Sequence, residues 1–244
     1  MRSGNPSLNK DAFNKYDSIG SGQTMTIGGT VNRTLILILL LLATFVYSWS
    51  QFVSDPESVL PLILVGAIGG LIVAIITIFV PKISPFTAPL YALLEGLFLG
   101  AVSAQYEAQY GGIVFQAVLL TIAVLISLLL IYKSGLIKVT KNFRLGVVAA
   151  TGAIFLVYIV SFIGRFVGFS VPYLHDASPI GIAISVVIVI IAALNLVLDF
   201  DFIENAAARR TPKYFEWYGA FGLLITLIWL YLEILRLLSK IRSR

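Results

Sequence analysis

Several stretches of this chain run long enough without charge to leave little choice of medium. The clearest, Ile180 to Leu198, reads IGIAISVVIVIIAALNLVL and carries no charged residue. Crossing a bilayer core of about 30 Å takes roughly 20 apolar residues. Over 244 residues the chain is 59% hydrophobic and 12% charged, with a mean hydropathy of +0.96. A soluble domain carries about a quarter charged residues, so the polar surface is too small for one. The sequence predicts an all-α polytopic membrane protein, because backbone amides in hydrocarbon must be satisfied within their own segment.

The predicted organisation is a flexible polar cytoplasmic tail over residues 1–33, then a transmembrane domain over 34–244. No apolar core or cleavage site follows the first basic residues, so the tail does not read as a signal peptide. Spans are expected from Thr34, from about Val59 to Val80, from Pro89, from Ile113 to Tyr132, from Leu145 to Phe166, from Ile180 to Leu198 and from Tyr218 to Leu238. Lys and Arg collect before the first span and after the second, fourth and sixth: Arg33, Lys82, Lys133, Lys138, Lys141, Arg144, Arg209, Arg210 and Lys213. This bias places the amino terminus in the cytoplasm of a bacterial plasma membrane. The terminal Lys240, Arg242 and Arg244 break the pattern. Either the early helices dominate, or the last segment is re-entrant; seven full spans is the preferred reading. Small residues at helical spacing (Gly66 and Gly70; Gly96, Gly100 and Ala104; Gly146, Ala150 and Ala153) read as helix-packing faces.

Most chemistry is excluded. The chain has no cysteine and one histidine, His175, too few nitrogen and sulfur ligands for an ordinary zinc site. No phosphate-binding loop, metalloprotease or serine-nucleophile motif occurs, so no enzyme activity and no cofactor are expected. The net charge of +5 reads as membrane topology and not as a nucleic-acid footprint.

What remains is a set of carboxylates at membrane depth, a costly placement that by default marks ion or proton handling. Glu95 lies in the third span. LNLVLDFDFIE ends the sixth with Asp199, Asp201 and Glu204, and WLYLEILR in the seventh holds Glu233. Asp199 shares a helical face with Asn195, while Asp201 shares another with Glu204 and Asn205. Asp199 is expected to look into the bundle and the others toward water. Glu233 stands 17 residues beyond Glu216, about 25 Å along a helix, too far across the membrane to pair with Asp199. Arg236, a turn later, is its natural partner.

Taken in order, MRSGNPSL, ALLEGLFLGAVSA, YKSGLIKVT, LNLVLDFDFIE and EWYGAFGLLITLIWLYLEILRLL resemble a bacterial member of the Bax inhibitor (transmembrane Bax inhibitor motif) family. The resemblance implies six helices around a central seventh. It also implies a pH-modulated calcium leak, gated by a carboxylate pair between the sixth and seventh helices. The family's sixth-helix pattern falls on Asp199, Phe200, Asp201, Phe202 and Ile203, making Asp199 the sensor carboxylate and a candidate calcium contact. The seventh-helix member falls on Glu233 by one alignment and on Thr226, which cannot titrate, by another; depth favours Thr226. Glu95 and Glu216 are the candidate substitutes. Two close carboxylates in low dielectric share a proton, and its loss drives the helices apart. Two further functions stay open: a regulatory membrane protein that binds a partner such as a membrane protease, and a proton-coupled transporter.

Overall fold

The computed structural model describes residues 24–168, 171–174 and 176–243. His175 and residues 1–23 lie outside the described residues. Seven helices are long and apolar enough to cross a membrane, and this is a multi-pass helical membrane protein. They are α1 (Ile27–Ser54), α2 (Leu60–Phe79), α3 (Ser84–Gln109), α4 (Ile113–Lys133), α5 (Lys141–Phe166), α6 (Pro179–Ala208) and α7 (Phe215–Arg242). Short 3-10 turns, Pro56–Val59 and Pro81–Ile83, lead into α2 and α3. Among the described residues there is no β-strand, only an isolated bridge between Thr24 and Pro212.

The chain crosses from one end of the bundle to the other with every helix. One end carries the α2–α3, α4–α5 and α6–α7 loops and the start of α1; the other carries the remaining loops and the end of α7. Contacts at each end fix this alternation. The Met25 amide donates to Thr211 O at 2.8 Å, and Ser84 Oγ donates to Tyr214 O at 3.0 Å. At the far end, Arg242 donates to the carbonyls of Tyr110 and Gly111. The last segment is therefore one continuous crossing, and re-entry is overturned.

Its basic residues explain the anomalous tail. Lys240 is buried, and its ammonium donates to Leu174 O (2.8 Å), Gly181 O (3.0 Å) and Ser185 Oγ (2.8 Å). The ammonium thus ties the Leu174 loop carbonyl and the start of α6 to the end of α7, a structural use unrelated to loop orientation.

Small residues do the predicted work on α1, α2 and α3. A Cβ on Gly66 would stand 2.7 Å from Leu94 O and Phe98 N, and one on Gly96 or Gly100 would overlap the carbonyl of Leu41 or Phe45. The close approach lets Thr44 and Ser48 hydroxyls reach across to Leu93 O (2.8 Å) and Leu97 O (2.7 Å). The third stripe differs. Nothing lies within 4 Å of a Cβ on Gly146, so that glycine does not serve helix packing.

Helix α7 packs along α1, α3, α4 and α6, and 56% of its most apolar window is buried, the largest share of any span. Helix α5 is the opposite case: it packs at length on α6 alone, with 11% of its window buried.

The first boundary shifts. The helix begins at Ile27, upstream of Thr34, so residues 27–33 belong to α1 and not to a flexible tail. The cause is tertiary. Thr26 caps the helix by accepting from the Gly29 amide at 2.9 Å. Its own amide and hydroxyl donate to Glu216 Oε1 at 3.0 and 2.9 Å. Gly29 has no side chain because the Glu216 carboxylate occupies that space. An anion against the first turn also complements the helix dipole. Similarly, α3 begins at Ser84 and takes Pro89 into its interior, and α7 extends beyond both expected ends.

Candidate functional site

Helix α6 holds 30 residues, about 45 Å of helix against a hydrocarbon core of about 30 Å. Its last turns therefore extend past the apolar layer, and the acids of LNLVLDFDFIE fall at that transition. Asp199 lies above the exit, facing α7. Asp201 and Glu204 lie nearer the end.

A cavity of about 660 Å³ opens beside Asp199. Its walls come from α6 (Asn195, Asp199, Asp201, Asn205), from α7 (Tyr218, Phe221, Gly222, Ile225), from Arg144 and Val148 of α5, and from Ile78 of α2, with Arg209 and Thr211 at the loop. It is thus a partly polar chamber between α5 and the α6–α7 pair. Asp199 Oδ2 is buried and has no hydrogen-bond partner among the described residues. A buried carboxyl oxygen left alone is a costly feature.

Thr226 of α7 interacts with the Asp199 carboxyl group. The same hydroxyl reaches Gly222 O at 3.3 Å. One hydroxyl hydrogen cannot serve both acceptors well. With Asp199 protonated the conflict disappears: the acid donates to Thr226, and Thr226 donates to Gly222 O. With Asp199 ionised, the two oxygens compete for one hydrogen. The α6–α7 contact thus pairs a single acid with a single hydroxyl.

Of the two alignments for the seventh-helix position, the structure puts Thr226, and not Glu233, against Asp199. Glu233 is buried and fully engaged elsewhere. It accepts from Tyr158 OH (2.8 Å), Trp229 Nε1 (3.2 Å) and Arg236 Nη1 (3.1 Å). The Arg236 partnership expected from the sequence is present. Glu216 holds Lys213 at 2.7 Å together with Thr26, at the α1 terminus and outside the cavity. Glu95 interacts with Tyr91 on its own helix and lies against Gly70 of α2, and it does not line the cavity. Tyr91 meets Phe221 edge-on, with ring centroids 5.0 Å apart, and Phe221 belongs to the cavity wall.

Asp201 and Glu204 are more than a solvated helix end. Asp201 pairs with Arg144 at 2.6 Å, and Glu204 accepts from Tyr132 OH of α4. Asp199 and Asp201 share the cavity yet use different partners, as their angular separation requires.

Three α5 side chains that recur every seven residues bind other helices. Arg144 binds Asp201, Thr151 accepts from Asn195 Nδ2 at 2.8 Å, and Tyr158 binds Glu233 and Arg236. Seven residues is nearly two turns, so these side chains form one stripe on the helix that otherwise has the least packing. The Arg144 and Thr151 links were readable as residue types but not as pairs; only the heptad spacing hinted at them.

Among the described residues no group of three His, Asp or Glu side chains converges as a metal cage. A calcium ion takes about six to eight oxygens, so one passing the cavity would keep much of its shell in water and carbonyls.

No curated protein and no solved structure matches the chain at a significant level. The family profile described as Bax inhibitor 1 like matches residues 5–243. That match takes in all seven helices and the α6–α7 contact, and the chain belongs to the Bax inhibitor 1 like family.

Proposed function

We propose that this protein is a non-enzymatic cation leak, for calcium, whose opening is set by the protonation of Asp199. The observation that carries the reading is the orphaned Asp199 oxygen beside a partly polar chamber, with a single Thr226 hydroxyl to satisfy two acceptors. Protonation completes the α6–α7 contact and favours the closed bundle. Loss of the proton leaves a buried charge seeking water or a cation, and helix separation supplies both. The end of the bundle with Lys82, Lys133, Lys138 and Arg209 lies in the cytoplasm by the distribution of basic loops. The chamber then faces the cytoplasmic leaflet of a bacterial plasma membrane.

In proteoliposomes, the parent is expected to pass calcium with a rate that rises from about pH 6 to about pH 8, and Asp199→Asn to lose that dependence. Equal flux and equal pH profiles in the two proteins overturn the proposal. A proton-coupled transporter predicts instead a small solute whose uptake competes with protons.

A second reading, a regulator that binds another membrane protein such as a protease, draws on the amino-terminal segment. Residues 24–26 are strapped to the α6–α7 loop beside the chamber. Deleting residues 1–23 should then abolish a co-purifying partner while leaving flux intact.

A further inference from the structure

Helices α1 and α4 both rest on α7 but do not pack on each other. The gap between them is a cleft of about 700 Å³, on a different face from the Asp199 chamber. Its back wall is Leu223 and Leu227 of α7. On α1 it runs from Ile27 to Ile38, about 16 Å along the helix at 1.5 Å per residue. That is the depth of one leaflet of a core about 30 Å thick.

The lining changes along this depth. The deep part is chiefly aliphatic, with Leu35, Ile38, Leu125, Ile126 and Leu227. At the mouth stand Lys133, the last residue of α4, and Lys138 in the following loop. Two carboxylates are also there: Arg144 neutralises Asp201, while Glu204, bonded to the neutral Tyr132 hydroxyl, keeps its charge and offsets one of the two lysines. Neither lysine forms an ion pair among the described residues. The mouth therefore offers unspent positive charge above an apolar slot open to the bilayer. An unfilled slot in hydrocarbon forfeits dispersion contacts along its whole length, and basic pockets between helices at the membrane surface suit anionic headgroups.

We propose that this cleft is a binding site for one anionic phospholipid, its acyl chain lying between α1 and α4 and its phosphate on Lys133 and Lys138. The site does not depend on the leak reading. It would nonetheless bear on it, because Asp201 lines both the cleft and the Asp199 chamber.

Native mass spectrometry of the full chain, with phosphatidylglycerol or phosphatidylcholine added to the detergent, tests the proposal. The parent should retain a single phosphatidylglycerol at least fivefold more than phosphatidylcholine. Lys133→Gln/Lys138→Gln should bring that ratio close to one, while Lys82→Gln, in another loop at the same end, leaves it unchanged. Ile126→Trp, at an exposed position of the cleft wall, should reduce retention of both lipids without altering elution as a folded species. Equal retention of the two lipids by the parent, no loss in the double lysine variant, or a second copy of the chain in place of lipid would each overturn it.

Discussion

Asp199 on α6 and Thr226 on α7 meet across the interface of the two helices, an acid against a hydroxyl that already has Gly222 O within reach. A threonine cannot exchange a proton with its partner, so any titration at this contact belongs to Asp199 alone.

Installing the missing acid should sharpen the response. Thr226→Asp creates two facing carboxylates that share a proton at low pH and repel when both ionise. Calcium flux in this variant should be at least as low as the parent's at about pH 6 and roughly tenfold higher at about pH 8, the effect of about 1.4 kcal/mol on helix separation. A flat pH profile would show that the contact does not control the path.

The glycine stripes separate cleanly into tight and open positions. Gly96→Ala drives a methyl into Leu41 O, and overpacking of this kind costs about 1–3 kcal/mol. Its midpoint of thermal unfolding in detergent should fall. Gly146→Ala meets open space inside a helix and should hold or gain stability, by up to about 1 kcal/mol.

Lys240→Met removes three bonds from a buried ammonium and leaves the carbonyls of Leu174 and Gly181 without that donor. A loss of about 2 kcal/mol or more is expected from hydrogen bonds to a charged group. Limited proteolysis should show the α5–α6 loop cut faster in this variant than in the parent.

Glu216→Gln weakens the anchor beneath Thr26 by replacing a carboxylate that also holds Lys213. The Met25 amide, bonded to Thr211 O, should then exchange with solvent roughly tenfold faster, the equivalent of about 1.4 kcal/mol. Gly29→Ala should have the same effect by pushing the carboxylate aside.

The spans were legible because lipid imposes one rule on every segment: long apolar runs become helices. The Glu233–Arg236 pair was legible too, since both lie on one helix at fixed spacing. The depth count that favoured Thr226 worked for the same reason. What depended on a neighbour was hidden. Residues 27–33 look like tail because the Glu216 that anchors their helix is far away in sequence. Gly146 and Gly66 sit in similar patterns, yet only Gly66 has a helix pressed against it. Lys240 reads as a topological exception until the carbonyls around it are seen.

The ladder of Arg144, Thr151 and Tyr158 has a mechanical corollary. A sideways translation of α5 must strain these three polar rungs together, whereas a tilt about either end releases them one after another. Sequential release has the lower barrier, so α5 should swing like a hinged door, with the rung beside Asp199 either the first to let go or the pivot.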